Sequence, residues 1–162
     1  MRAYTLTIAL AAAVSLAAAW AARAADRTPP VLTRVDMVRD RFAVGQGPTA
    51  INAIGRGTAF RLTLSEAGVL TIRLSHARLG RRVGRRCLVA TRARRRRPGC
   101  TRLSAAGSLS RRLAAGRRSV PFSGRIGRRA LVPGRYRATI TERDAAGNVS
   151  RAHVLAFAIV PG

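Results

Sequence analysis

Ala59-Phe-Arg-Leu-Thr-Leu-Ser-Glu-Ala-Gly-Val-Leu-Thr-Ile-Arg-Leu-Ser75 is the stretch whose reading decides the fold class. Phe60, Leu62 and Leu64 alternate with Ala59, Arg61 and Thr63. After the break Ser65-Glu66-Ala67-Gly68, Leu70, Ile72 and Leu74 alternate with Thr71, Arg73 and Ser75. Successive side chains of a strand point to opposite faces, so a period of two on both sides of a short Gly-containing break specifies a pair of half-buried strands. The break fits either a hairpin or a corner between two sheets.

The same pattern recurs outward from this pair. Tyr136, Ala138 and Ile140 oppose Arg135, Arg137, Thr139 and Thr141 in a strand that Gly134 opens. His153, Leu155, Phe157 and Ile159 share one face of a last strand. Val31 to Val38 reads as a first strand behind the stiff Thr28-Pro29-Pro30 leader, and Phe42 to Val44 extends it past a bend. Leu103 to Leu113 alternates weakly, and Val120 with Phe122 marks one more strand. Gly45 to Gly57 and Gly124 to Arg129 read as loop and basic turn. No helical stripe follows the N-terminal segment. About seven short strands separated by turn signals predict an all-β fold, a two-sheet sandwich of immunoglobulin type.

Residues 1–24 read as a helical signal peptide. Arg2 supplies the basic start, Tyr4 to Ala22 is an uncharged apolar run, and Ala22-Arg23-Ala24 fits the small-x-small cleavage rule. The alternative is an uncleaved anchor. No paired Arg precedes the run, so the general secretory route is expected, with the protein extracellular or in the cell envelope. Membrane contact is expected only through this segment if it stays uncleaved. Residues 25–162 then form the folded domain.

Charge is the other dominant feature. The chain has 162 residues, with 31 basic side chains, all of them Arg, against 6 acidic ones, for a formal charge of +25. Two His and six carboxylates are a thin supply for general acid–base chemistry. No nucleophile elbow or ordered triad is present, so no enzyme and no cofactor are expected. Glu66, Glu142 and Asp144 have no spacing that predicts a carboxylate pair.

Residues 78–102 hold eleven Arg and few apolar side chains, and read as a long exposed loop inserted in the domain. Cys87 and Cys100 close it. In an exported chain an even pair at this spacing reads as a disulfide, with free thiols and a metal site as alternatives. A metal would need more ligands than these two Cys with His76 or His153, so no metal site is expected. Arg81, Arg82, Arg85, Arg86, Arg92, Arg94, Arg95, Arg96 and Arg97 are the candidate polyanion-binding residues, because guanidinium forks pair with phosphate and carboxylate. The partner class is an anionic cell-wall polymer or another extracellular polyanion. The alternative is a solvated basic surface set by high-GC codon composition. Specific nucleic-acid binding is not expected, since no aromatic side chain stands among these Arg to stack on bases.

Leu131-Val-Pro-Gly-Arg-Tyr-Arg-Ala-Thr-Ile-Thr-Glu-Arg-Asp-Ala-Ala-Gly-Asn148 resembles the closing hairpin of secreted bacterial immunoglobulin-like and fibronectin-III-like domains. So do Asp26-Arg-Thr-Pro-Pro-Val31, the segment from Gly57 to Ala67 and the segment from Phe122. The chain is similar over about Asp26 to Val160 to such domains from high-GC actinobacteria, which often carry an Arg-rich, two-Cys insertion. The resemblance implies the fold and the compartment and carries no activity with it. The function expected is a non-catalytic structural or adhesive module of the cell surface or wall with no specific activity assignable. The alternative is a polyanion-binding protein acting through the Arg-rich loop. Gly134 is expected to permit a sharp bend and Tyr136 to bond a corner through its hydroxyl. Asp144 and Asn148 are expected to satisfy turn N–H groups, and Gly147 to take a positive φ.

Overall fold

The computed structural model describes residues 26–46 and 55–162. The signal segment, 1–24, lies outside the described residues, as does most of the loop expected from Gly45 to Gly57. Among the described residues no helix is long and apolar enough to cross a membrane.

The structure is mostly β, as the alternation predicts. The strands are β1 Leu32–Met37, β2 Arg41–Ala43, β3 Thr58–Leu64, β4 Gly68–Val83, β5 Arg86–Val89, β6 Gly99–Leu113, β7 Gly116–Phe122, β8 Arg125–Ile126, β9 Arg129–Ala130, β10 Gly134–Asp144 and β11 His153–Val160. β1, β3 and β7 make a three-stranded sheet. A larger sheet runs β2-β11-β10-β4, with β6 on the other edge of β4, and β8 with β9 forms a small hairpin. The segment read as a continuation of the first strand, β2, instead joins the other sheet, parallel to β11, and the strands not expected at all are the short β5, β8 and β9. Each is too brief for its alternation to show.

The Ser65–Ala67 break is a corner between sheets, because β3 pairs with β1 and β7 whereas β4 pairs with β10 and β6. The alternation dictates what each sheet buries. Phe60, Leu62, Leu64, Val120 and Phe122 come from the smaller sheet. Leu70, Ile72, Leu74, Tyr136, Ala138, Ile140, Phe157 and Ile159 come from the larger one, and all share one core. Phe122 joins the two, with its ring edge-on to Phe42 of β2 at 5.9 Å and to Phe157 of β11 at 5.9 Å. Offset and edge-to-face pairs of this kind add to the burial of the rings themselves. Ala59, expected on the outer face of β3, is buried at the strand's start with Thr58.

The Arg-rich stretch departs most from its sequence reading. It is a β-ribbon rather than a loop. β4 pairs with β10 as far as Ala77, and β5 then takes up the edge that β10 leaves, from Gly80 to Val83. β6 follows β4 along the opposite edge out to the Arg81–Gly99 pair. Gly84-Arg85 is the two-residue turn joining β4 to β5, with Gly84 at φ 57° in the first central position, which suits the twist of a tight hairpin. A 3-10 turn at Arg92–Arg94 leads back towards β6. Backbone pairing makes this ribbon. Arg occupies both of its faces, so it has no apolar–polar alternation to read.

Candidate basic ribbon and carboxylate cluster

The disulfide is formed. Cys87 of β5 and Cys100 of β6 are bonded at 2.05 Å, with 6.0 Å between their Cα atoms. Neither half is on β4, yet both strands pair with it, Cys100 opposite Gly80 and Cys87 opposite Arg82. The bond therefore ties together the two strands that flank β4. Gly80 leaves room for it. A Cβ at that position would lie 2.5 Å from Cys87 Sγ and 2.8 Å from the Leu88 carbonyl oxygen, closer than such atoms approach.

All nine candidate Arg lie on this stapled ribbon and its 3-10 turn. Seven are exposed, and Arg81 and Arg94 are half-buried. The two half-buried ones also serve the backbone. Arg81 donates to the Arg97 carbonyl at 3.0 Å and Arg94 to the Val89 carbonyl at 3.3 Å, holding the turn against β4 and β5. Among the described residues no carboxylate pairs with any of the nine. Among the described residues the ion pair present is Arg61 with Asp36, at 2.7 Å across the smaller sheet. Like charges held on a short, cross-linked ribbon raise the local positive potential above that of dispersed Arg.

The Tyr136 hydroxyl donates to the Val132 carbonyl at 2.7 Å, a tyrosine-corner bond, and burial pushes the phenol above its ordinary value. Its ring stacks on His76 at 4.6 Å. Gly134 gives that imidazole room, since a Cβ there would meet Nε2 at 2.5 Å. His76 Nδ1 accepts from Arg78 Nε at 3.2 Å. Desolvation, with the Arg78 charge adding to it, holds His76 below its ordinary value, so it stands as a neutral acceptor.

Gly147 takes its positive φ, 96°. Asp144 accepts from the Asn148 backbone N–H at 2.8 Å and from Asn148 Nδ2 at 2.8 Å. Burial alone would raise the Asp144 carboxyl. The bonds from the Asn148 side chain and from the N–H groups of Asn148, Gly147 and Ala146 outweigh it and hold Asp144 below its ordinary value. The Asn148 side chain differs from expectation. It accepts no turn N–H and donates instead, to Asp144 and to the Asp26 carbonyl at 2.8 Å, tying the leader to the hairpin.

The sequence reading missed what gathers there. Asp26, Glu66 and Asp144 place carboxylate oxygens within 4.8 Å of one another. Glu142 belongs to the same end of the molecule, two residues before Asp144 on the inward face of β10, and is fully buried. Its backbone is satisfied by Ser150, whose Oγ accepts the Glu142 N–H at 2.9 Å. Both of its carboxylate oxygens are without a partner. Burial, and then the charges of Glu66 and Asp144, push its carboxyl up to about 7.

Compared with known proteins, the chain matches no family model, and no curated protein matches it significantly.

Proposed function

We propose that the chain is an exported, non-catalytic immunoglobulin-like β-sandwich module of the cell surface or wall, whose basic ribbon engages an anionic extracellular polymer. The observation that carries this reading is the ribbon. Nine Arg without carboxylate partners stand on strands cross-linked by Cys87 and Cys100. A cross-linked strand pair loses less freedom on binding than an open loop, so more of the guanidinium–anion attraction survives as affinity. The tyrosine corner and the two facing sheets support the immunoglobulin-like assignment. The disulfide supports an oxidising compartment, and with it export of the chain.

The test compares two quadruple variants in binding to teichoic-type polymer, acidic polysaccharide and DNA across a salt series. One variant changes Arg94, Arg95, Arg96 and Arg97 to Gln, the other Arg73, Arg117, Arg135 and Arg137. Counterion release supplies most of such affinity. On DNA, loss of four phosphate contacts lowers the salt slope by up to about 3.6, at about 0.9 per contact. The ribbon variant is expected to lose clearly more affinity than the sheet variant, with one polymer preferred. Equal losses would mean a diffuse basic surface without a site.

A further inference from the structure

A chain with 31 basic and 6 acidic side chains has every opportunity to pair its carboxylates with Arg. Three of the six, Asp26, Glu66 and Asp144, instead meet one another, and a fourth, Glu142, is buried two residues before Asp144 on the same face of β10. Asp26 comes from the leader, Glu66 from the corner between β3 and β4, and Glu142 and Asp144 from the end of β10. Glu142 is the most telling of them. It is completely withdrawn from water, neither oxygen has a hydrogen-bond partner, and its near charges are two more carboxylates. A buried ionisable group without a partner is strongly unfavourable. Ser150 is close enough to bond the Glu142 backbone but leaves the carboxylate alone.

We propose that Asp26, Glu66, Glu142 and Asp144 together bind one calcium ion, which fastens the leader and the β3–β4 corner to the end of β10. The spacing and chemistry support that cation. Calcium takes six to eight oxygen ligands at about 2.3–2.6 Å, so ligand oxygens on opposite sides of one ion stand about 5 Å apart. The 4.8 Å spread of the Asp26, Glu66 and Asp144 oxygens fits within one such sphere. Every donor is a carboxylate oxygen, which suits a hard cation. The ligands come from three separate segments rather than one rigid element, a looser arrangement than magnesium's strict octahedron at about 2.0–2.1 Å favours. Asp144 is already oriented by Asn148, and Asp26 by the Thr28 N–H at 2.9 Å. Such bonds to a ligating carboxylate fix its direction. The site is remote from the basic ribbon, and calcium binding stands or falls separately from polymer binding.

Calorimetric titration of the purified chain, stripped with EDTA, with calcium chloride and with magnesium chloride tests this. One calcium per chain is expected, with a dissociation constant of about 1 mM or tighter, in the range of extracellular calcium sites, and weaker magnesium binding. Glu66→Gln and Glu142→Gln should each weaken calcium binding at least about tenfold, judged against the 10–100-fold that loss of a mere supporting partner costs. Asp36→Asn, on the smaller sheet, should leave it unchanged. In EDTA, Glu142→Gln should melt no lower than the parent, because it removes a buried charge from beside two like charges. In saturating calcium the order should reverse. Should Glu142→Gln fail to fold, the half-buried Glu66 gives the same readout. No saturable calcium binding at millimolar calcium, equal affinity for magnesium, or unchanged binding in the Gln variants overturns the proposal.

Discussion

Replacing both Cys87 and Cys100 with Ser should open the ribbon and leave the core folded. The bridged Cys are 13 residues apart in sequence. In the chain-entropy relation, a closed loop of about 14 residues is worth about 3 kcal/mol against any state in which that segment is disordered, about a hundredfold in the opening equilibrium. What remains to hold the ribbon is small. Beyond Ala77, β4 has lost β10 and pairs only with the four residues of β5 and the first residues of β6. Leu79, Val83 and Val89 there are exposed and contribute little burial. The cost should therefore fall mainly on the ribbon, while the core loses at most the stability the ribbon had lent it. Trypsin provides a sensitive assay, because it cuts after Arg and needs an unpaired backbone. The double variant should be cleaved within residues 80–102 while residues of β10 and β11 stay resistant. Hydrogen exchange should show amides of Gly80 to Val83 and of β5 losing about a hundredfold protection, and amides of Ile72 and Ile140 losing much less. If ribbon and core amides lose protection by the same factor, the ribbon is closed by its own pairing, and the role given to the bridge is wrong.

Tyr136→Phe keeps the ring stacked on His76 and removes the bond to the Val132 carbonyl. It should lower stability by about 1 kcal/mol, the net worth of one hydrogen bond, read from the midpoint of urea unfolding with an unchanged slope. His76 has a folded-state pKa below its ordinary 6.5. Its contribution to stability is thus present above about 6.5, the unfolded value, and is lost as pH falls through the folded one. NMR titration should place the His76 midpoint below 6.5, and His76→Phe, which keeps the stack, should flatten the acid side of the stability profile. A midpoint at or above 6.5 would contradict the neutral assignment.

The core was legible because its chemistry is local. Phe60 to Leu64, Leu70 to Leu74, Tyr136 to Ile140 and Phe157 with Ile159 each carry the period of a half-buried strand, and each buries the face so marked. Gly147 and Asp144 were legible for the same reason, as turn geometry needs only neighbours. The ribbon was hidden because strand pairing is a backbone property. Arg82 and Arg81 lie on opposite faces, Arg82 in water and Arg81 half-buried with its guanidinium on the Arg97 carbonyl, so both faces read as charged. The parallel pairing of β2 with β11 leaves no trace in the three residues of β2. The carboxylate cluster was out of reach for a different reason. Residues 26, 66 and 144 meet only because β4 and β10 are neighbours and the leader is tied to the last turn, and no spacing in the chain encodes such a meeting.

β4 has a consequence for how the molecule presents itself. Gly68, at its start, pairs with Asp144 in the carboxylate cluster, and Val83, at its end, adjoins the tip of the basic ribbon. One strand of 16 residues, at most about 50 Å long at about 3.3 Å per residue, thus spans from the carboxylate cluster at one end to the densest basic groups at the other. The protein is an electric dipole as well as a strong cation. Beside an anionic polymer it should stand end-on, ribbon inward and leader outward, so a coat of such molecules would present its leaders to whatever lies beyond.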